Sequence, residues 1–239
     1  MKLTIPIHRL KRRARQLARQ NRMPLHRALD ETASAEGFDS WSHLARTWRP
    51  RGPARVLLDR LLPGDLLVLA ARPGHGKTVL GLEIAAEAPA AGRASVFFSS
   101  ECTERDVRDK LVESGFDATP GSHGPHVDLA DSLCARHIMT ELAQARSGTV
   151  AVIDYLQVMD QRRHEPPLER QIKELKQFAR ARGLAFVFLS QVSRTFDPQV
   201  KPLPDFSDVR IANPVDLSVF IGGCFLHGGE LAMVPNALG

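Results

Sequence analysis

The stretch GDLLVLAARPGHGKTVLGLEIAAEA, residues 64–88, predicts a strand, a tight turn and a helix in direct succession. Residues 66–70 are all apolar, which is typical of a strand that is covered on both faces of a parallel sheet. We expect the following helix to run from about Lys77 to Ala90. Ligands of such sheets bind where strands end at their carboxyl side, so the turn between strand and helix is the first candidate site.

The turn has the sequence of a phosphate-binding P-loop from Ala71 to Thr78, except that alanine replaces the first glycine. Backbone N–H groups of such a loop cradle a β-phosphate, Lys77 reaches the β- and γ-phosphates, and the Thr78 hydroxyl binds magnesium. A Gly-Lys-Thr triplet can occur by chance in a loop, but the flanking strand and helix favour a nucleotide site. The predicted nucleotide contacts are Arg72, Pro73, Gly74, His75, Gly76, Lys77, Thr78 and Val79. For His75, a solvent-facing position in the loop is the alternative.

Strands and helices continue to alternate after this turn. Further apolar strand segments cover residues 95–99, 149–154 and 184–190. Predicted helices cover residues 103–115, 131–148 and 169–183. Residues 216–235 predict two or three short strands, with a turn at Gly228 and Gly229, that extend the sheet in antiparallel fashion. Residues 116–130 and 191–210 lack periodicity and are either functional loops or poorly ordered. The pattern predicts an α/β fold with a mostly parallel central sheet flanked by helices.

Three polar residues follow or end the predicted strands, which would bring them to the same edge of the sheet as the P-loop. Asp154 ends residues 149–154, where a carboxylate can hold magnesium through water or Thr78. Glu101 can activate a water molecule for attack on a γ-phosphate, and the amide of Gln191 can sense that phosphate. Either carboxylate could instead cap the next helix.

Composition limits the classes of protein to consider. The 239 residues, 43% hydrophobic and 25% charged, suit one globular domain and a small appendage. We expect a cytoplasmic protein without a membrane span, because no apolar run approaches the roughly 18 to 20 residues that cross a bilayer and no secretory signal is evident. Cys102, Cys134 and Cys224 are odd in number and lack CxxC spacing, which argues against a disulfide framework or a zinc site.

The N-terminal residues carry most of the positive charge. Residues 1–29 hold nine of the 32 Lys and Arg and no acid, which leaves 23 against 27 Asp and Glu in the remainder. Residues 7–20 predict a basic amphipathic helix, Pro24 begins a second that Gly37 closes, and Ser40 caps a third. We therefore divide the chain into a basic helical unit and linker, residues 1–50, and a main domain, residues 51–239. The basic helix is either a solvated or partner-docking face or a nucleic-acid contact.

Five stretches together resemble the ATPase domain of replicative hexameric DNA helicases of the DnaB type, which has a RecA-like fold. They are GDLLVLAARPGHGKT (64–78), FFSSECTERDV (97–107), VIDYLQVM (152–159), LKQFARARGLAFVFLSQVSR (175–194) and LPDFSDVR (203–210). The resemblance covers roughly residues 56–222. It implies ATP and Mg²⁺ as cofactors, Lys77 and Thr78 on phosphate and metal, Asp154 on metal, Glu101 as catalytic base and Gln191 as γ-phosphate sensor. It also implies DNA replication as the setting, a DNA partner, expected to be single-stranded, and a homo-oligomeric ring or filament.

The sequence departs from that family near its end. The family's trans-acting arginine finger lies in a C-terminal Lys-x-Arg pair, but residues 211–239 contain neither Lys nor Arg. We therefore expect slow hydrolysis unless Arg194, Arg210 or the pair Arg162 and Arg163 substitutes. The alternative to a DNA-directed ATPase is a nucleotide-gated scaffold or loader that turns over little and binds DNA or a partner through its basic helices. A small-molecule P-loop kinase is a weaker third possibility.

Overall fold

The computed structural model describes residues 7–21, 23–47, 52–116, 118, 124–160, 165–211, 213 and 215–236. The chain consists of two compact units, Met1–Gly52 and Pro53–Gly239. No helix within these described ranges is long and apolar enough to cross a membrane.

The first unit contains three helices: α1 (Ile7–Gln20), α2 (Leu25–Ala35) and α3 (Trp41–Thr47). Its small core consists of Leu10, Ala33, Phe38 and Leu44, with Trp41 packed against it. The Ser40 hydroxyl accepts a hydrogen bond from the backbone N–H of His43 at 3.0 Å, as expected of a residue that caps a helix.

The second unit is built on seven strands. They are β1 (Leu66–Ala71), β2 (Ser95–Ser99), β3 (His126–Asp128), β4 (Val150–Asp154), β5 (Ala185–Gln191), β6 (Gly222–His227) and β7 (Glu230–Pro235). Its helices are α4 (Pro53–Arg60), α5 (Lys77–Glu87), α6 (Glu104–Glu113), α7 (Ala135–Glu141) and α8 (Leu168–Arg182). The strand order is β3-β2-β4-β5-β1-β6-β7, and only the β6–β7 pair is antiparallel. The prediction of a mostly parallel α/β sheet is confirmed.

Helices cover both faces of this sheet because its central strands are apolar on both sides. One face packs against α4, α5 and α6, through inward residues such as Leu69, Val152 and Leu189. The opposite face packs against α7 and α8, through residues such as Val68 and Phe188. Buried polar residues of the sheet, such as Ser99 and Asp154, lie at strand ends.

The register of the strands brings those ends together. Ala71 lies opposite Gln191, and Ser99 lies opposite Asp154. Because β5 separates β1 from β4, the end of β5 stands between the P-loop and Asp154. Four neighbouring strands therefore terminate at one edge.

The C-terminal strands differ from the sequence prediction. The antiparallel extension holds for β7 only, whereas β6 runs parallel to β1, with Leu67 opposite Gly222 and Leu69 opposite Cys224. A parallel neighbour requires a long crossover, and residues 192–221 supply it between β5 and β6.

Three other elements also differ. The helix expected over residues 131–148 is limited to α7, because the Gln171 side chain accepts a hydrogen bond from the Ala135 N–H at 2.9 Å and Cys134 before it is extended. Strand β3 is too short to show alternation, and α4, which begins at Pro53 just after the predicted linker, was not expected as a helix. Proline suits the first position of a helix as well as a linker, so its presence alone could not decide between them.

Candidate active site

The phosphate loop connects β1 to α5 with two glycines in left-handed backbone conformation. Gly74 has φ of +80° and Gly76 has φ of +86°, values that side chains disfavour. A Cβ at either position would meet nothing within 4 Å, so the space in front of the loop is open. Glycine is required here for the turn of the backbone, and the open space can admit a phosphate group to the first N–H groups of α5. Pro73 is exposed in the turn, and Val79 is partly buried in the first turn of α5.

Lys77 lies close to the two candidate metal ligands. Its Nζ is 3.1 Å from Asp154 Oδ1 and 3.4 Å from Thr78 Oγ1. The side chains of Lys77 and Asp154 are 12% and 2% exposed, so this ion pair is almost enclosed. A carboxylate and a hydroxyl are oxygen donors of the kind that Mg²⁺ prefers, and the residues present therefore fit a magnesium site.

Glu101 is exposed and lies near Tyr155 at the edge of the site. The Tyr155 ring centroid lies 5.0 Å from Lys77 Nζ. Burial, followed by the charge of Glu101 and hydrogen bonding to it, raises the pKa of Tyr155. The tyrosine hydroxyl therefore stays protonated beside the Glu101 carboxylate.

Glu101 does not cap the helix that follows it. That role belongs to Thr103, whose hydroxyl accepts a hydrogen bond from the Asp106 N–H at 3.2 Å. Asp154 also has another partner, Lys77. Neither Glu101 nor Asp154 therefore caps a helix, the alternative role that the sequence allowed for both.

Gln191 is held in a network of amide and guanidinium groups. Its Oε1 accepts from Arg210 Nη1 at 3.0 Å, and its N–H donates to Gln157 Oε1 at 3.4 Å. Gln157 Nε2 in turn donates to Ser190 Oγ at 2.8 Å and to the carbonyl of Arg210. The candidate sensor is therefore connected to the segment around Arg210.

The P-loop also contacts the segments after β5 and β6. The His75 ring stacks on His227 with centroids 4.8 Å apart, and the Gly228 N–H donates to His75 Nδ1 at 3.2 Å. His75 is thus only partly exposed and does not project freely into solvent. Arg72 Nη2 donates to the carbonyl of Arg194 at 3.2 Å and to that of Phe196. The loop is therefore held from two sides.

Some of these contacts carried no clear signal in the sequence. Gln157 follows Asp154 by three residues within the stretch VIDYLQVM, which contributes to the family resemblance, yet no role could be assigned to it from spacing alone. Arg194 and Arg210 are both exposed, and Arg210 lies beside Gln191. Arg162 and Arg163 fall outside the described residues.

The fold and this edge of the sheet define a RecA-like P-loop protein. The family model for the DnaB-like helicase C terminal domain matches residues 56–119 and 128–217. The chain belongs to this family, as its sequence motifs indicate.

Individual members of the family and solved structures share only modest sequence identity with this chain. The replicative DNA helicase DnaB of Mycoplasma genitalium is 26% identical over 198 residues, which is 66% of this chain and 42% of that protein. A DnaB-like replicative helicase, solved with its interactions with primase, superposes with a TM-score of 0.58 at 19% identity, covering 72% of this chain and 50% of the other. A KaiC-like protein from Pyrococcus horikoshii gives a TM-score of 0.52 at 17% identity, covering 75% and 85% respectively. This chain thus spans less than half of the curated relative's length, and the solved structures support the fold.

Proposed function

We propose that the chain binds ATP with Mg²⁺ at the edge formed by β1, β2, β4 and β5, hydrolyses the nucleotide, and acts on DNA as a homo-oligomer. The observation that carries this proposal is the convergence of Lys77, Asp154 and Gln191, together with Glu101 through Tyr155, beside an open P-loop. Membership of the DnaB-like helicase C terminal domain family supports the same activity.

In this proposal each side chain has a separate role. Lys77 binds the β- and γ-phosphate oxygens, and Thr78 and Asp154 hold the metal. Bound Mg²⁺ would neutralise charge that develops on the phosphates. Glu101 accepts the proton of the attacking water, and in this proposal the neighbouring Tyr155 hydroxyl orients its carboxylate. Gln191 contacts the γ-phosphate and transmits its loss to Arg210.

We expect slow turnover unless another arginine replaces the finger that the family places in a C-terminal strand. Residues 211–239 contain no Lys or Arg, and an arginine finger is worth about 10³ to 10⁵ in rate. This observation favours the second candidate function, a nucleotide-gated scaffold or loader. Arg210 is the basic side chain that the structure connects directly to the candidate sensor, so it is the first residue to test as a substitute.

The test is magnesium-dependent ATP hydrolysis by the full chain, with and without single-stranded DNA, together with native mass in the presence of ATP. We expect Glu101→Gln to retain ATP binding and lose about 10² to 10⁴ in rate, the usual contribution of a general base. Lys77→Ala should lose ATP binding. The controls are Glu113→Gln and Lys173→Ala, exposed residues on α6 and α8 that should leave both quantities unchanged.

The outcomes separate the candidates. Tight ATP binding and ATP-dependent assembly with negligible hydrolysis, even with DNA present, would favour the scaffold. ATP binding that is unaffected in Lys77→Ala would overturn the assignment of the site itself.

A further inference from the structure

The basic face of α1, in the first unit, has no role in the proposed nucleotide chemistry. Packing determines how this helix is oriented within its own unit. Leu10 and Ala14 are fully buried, and Leu10 contributes to the core with Ala33 and Phe38. The basic residues Lys11, Arg12, Arg13, Arg15 and Arg19 are all exposed. The core of the small unit therefore presents these five charges to solvent.

Within the described parts of the chain, no acidic side chain pairs with these cations. Among the described residues none of the five forms an ion pair, whereas nearby Asp39 pairs with His43 and Asp30 accepts from the Trp41 N–H. Residues 1–29 contain no acid that could neutralise them. Like charges four residues apart on a helix repel one another, so this arrangement destabilises the helix when it is free. An anionic partner would remove that repulsion.

The geometry of the face favours an extended polyanion. Lys11, Arg15 and Arg19 are spaced four residues apart and form one row along the helix. Arg12 and Arg13 extend the charge around the axis, and at about 100° per residue Lys11 and Arg13 are about 200° apart. Cations on two sides of one helix can reach phosphates on both walls of a groove, and the major groove of duplex DNA admits an α-helix.

We propose that α1 binds duplex DNA through its phosphate backbone, independently of the nucleotide site. Lys11, Arg12, Arg13, Arg15 and Arg19 supply the contacts. Contacts to phosphates carry no direct base information, so the binding is independent of sequence and strongly dependent on salt.

The experiment measures binding of the full chain to a short fluorescent DNA duplex of mixed sequence, without nucleotide, over a series of salt concentrations. The variant combines Lys11→Gln, Arg15→Gln and Arg19→Gln, because glutamine retains good helix propensity. Each lost phosphate contact should lower the salt slope by about 0.9, so we expect a decrease of about 2.7. Tryptophan fluorescence checks the fold of the unit, since Trp41 packs on its core.

Two controls separate charge from other effects. Arg105→Gln, Arg108→Gln and Arg170→Gln remove the same charge from exposed positions on α6 and α8, and should leave the slope unchanged. Arg15→Lys with Arg19→Lys keeps the charge and should keep the slope. The Lys77→Ala variant should still bind the duplex, so that a failure at the nucleotide site is distinguishable from a failure here.

Three results would overturn the proposal. One is an unchanged salt slope in the α1 variant, and another is an equal decrease in the α6 and α8 control. The third is a larger loss of binding on single-stranded DNA than on the duplex, which would reject the groove as the binding surface.

Discussion

The phosphate loop and helix α1 both depend on basic side chains, but their surroundings differ. Lys77 is 12% exposed and has a carboxylate partner 3.1 Å away. Lys11, Arg15 and Arg19 are exposed, with no ion-pair partner in the described parts of the chain. In the phosphate loop a single enclosed charge acts at a fixed position, so its distance to its partner and to a bound phosphate determines what it contributes. Helix α1 distributes charge over a surface, where each residue adds a small contribution that salt screens.

The largest effect on stability should appear when one member of the Lys77–Asp154 ion pair is removed. Lys77→Met leaves the buried Asp154 carboxylate unpaired, and we expect the free energy of unfolding to fall by about 3 to 5 kcal/mol. Adding Asp154→Asn removes the second charge and should restore most of that loss. Urea unfolding of the second unit, followed by circular dichroism, measures this loss.

The matched control for this prediction is the exposed pair between Lys173 and Glu169 on α8, in which Lys173→Met should change stability little. Equal effects at the two pairs would show that the Lys77 pair is solvated, contrary to its burial.

A smaller effect, on local opening, should follow when the P-loop loses its hydrogen bonds to the segment after β5. Arg72→Gln removes the guanidinium hydrogen bonds to the carbonyls of Arg194 and Phe196. Bonds of charged donors contribute about 2 kcal/mol, so local opening should expose the Phe196 amide to exchange about thirtyfold faster. Arg72→Lys keeps the charge but loses the forked geometry and should show most of the same increase. Unchanged exchange in both variants would mean that other contacts hold this segment.

The smallest effect concerns Asp205, which caps the short 3₁₀ turn Phe206–Asp208. Hydrogen bonds from Lys201 and Ser207 lower the pKa of Asp205 to about 2. Because its pKa is lower in the folded state, its carboxylate stabilises the fold above the unfolded value near 3.8, and this contribution is lost as pH falls towards 2.

Asp205→Asn tests this dependence, because asparagine also caps but carries no charge. The difference in unfolding free energy between the two proteins should be at most about 1 kcal/mol at neutral pH, since the Asp205 side chain is 44% exposed. Acid titration of stability should show that difference disappearing towards pH 2. A difference independent of pH would assign the effect to shape instead of charge.

Much of the fold could be predicted because the relevant patterns are local. Strands β1, β2, β4 and β5 are continuous apolar runs, and the P-loop is a contiguous motif. The convergence of strand ends followed from parallel pairing alone. In contrast, α4 and β3 are short elements whose patterns do not stand out, and the start of α7 is set by Gln171, 36 residues away from Ala135.

For the candidate site too, local sequence patterns predicted some residues and missed others. Spacing indicated Lys77, Glu101, Asp154 and Gln191, each from its position relative to a strand. It did not indicate that His75 stacks on His227 or that Arg210 contacts Gln191, because those partners lie in segments without periodicity or in a different hairpin.

By itself, the amino-acid sequence determined the central strands β1, β2, β4 and β5, the phosphate loop and the basic first helix, since each depends on neighbours along the chain. Only the tertiary structure decided the parallel direction of β6, the enclosure of Lys77 with Asp154, and the placement of the Tyr155 ring beside Lys77. These features depend on how distant segments pack, and the packing energy of the whole sheet, not any local propensity, selects among the alternatives.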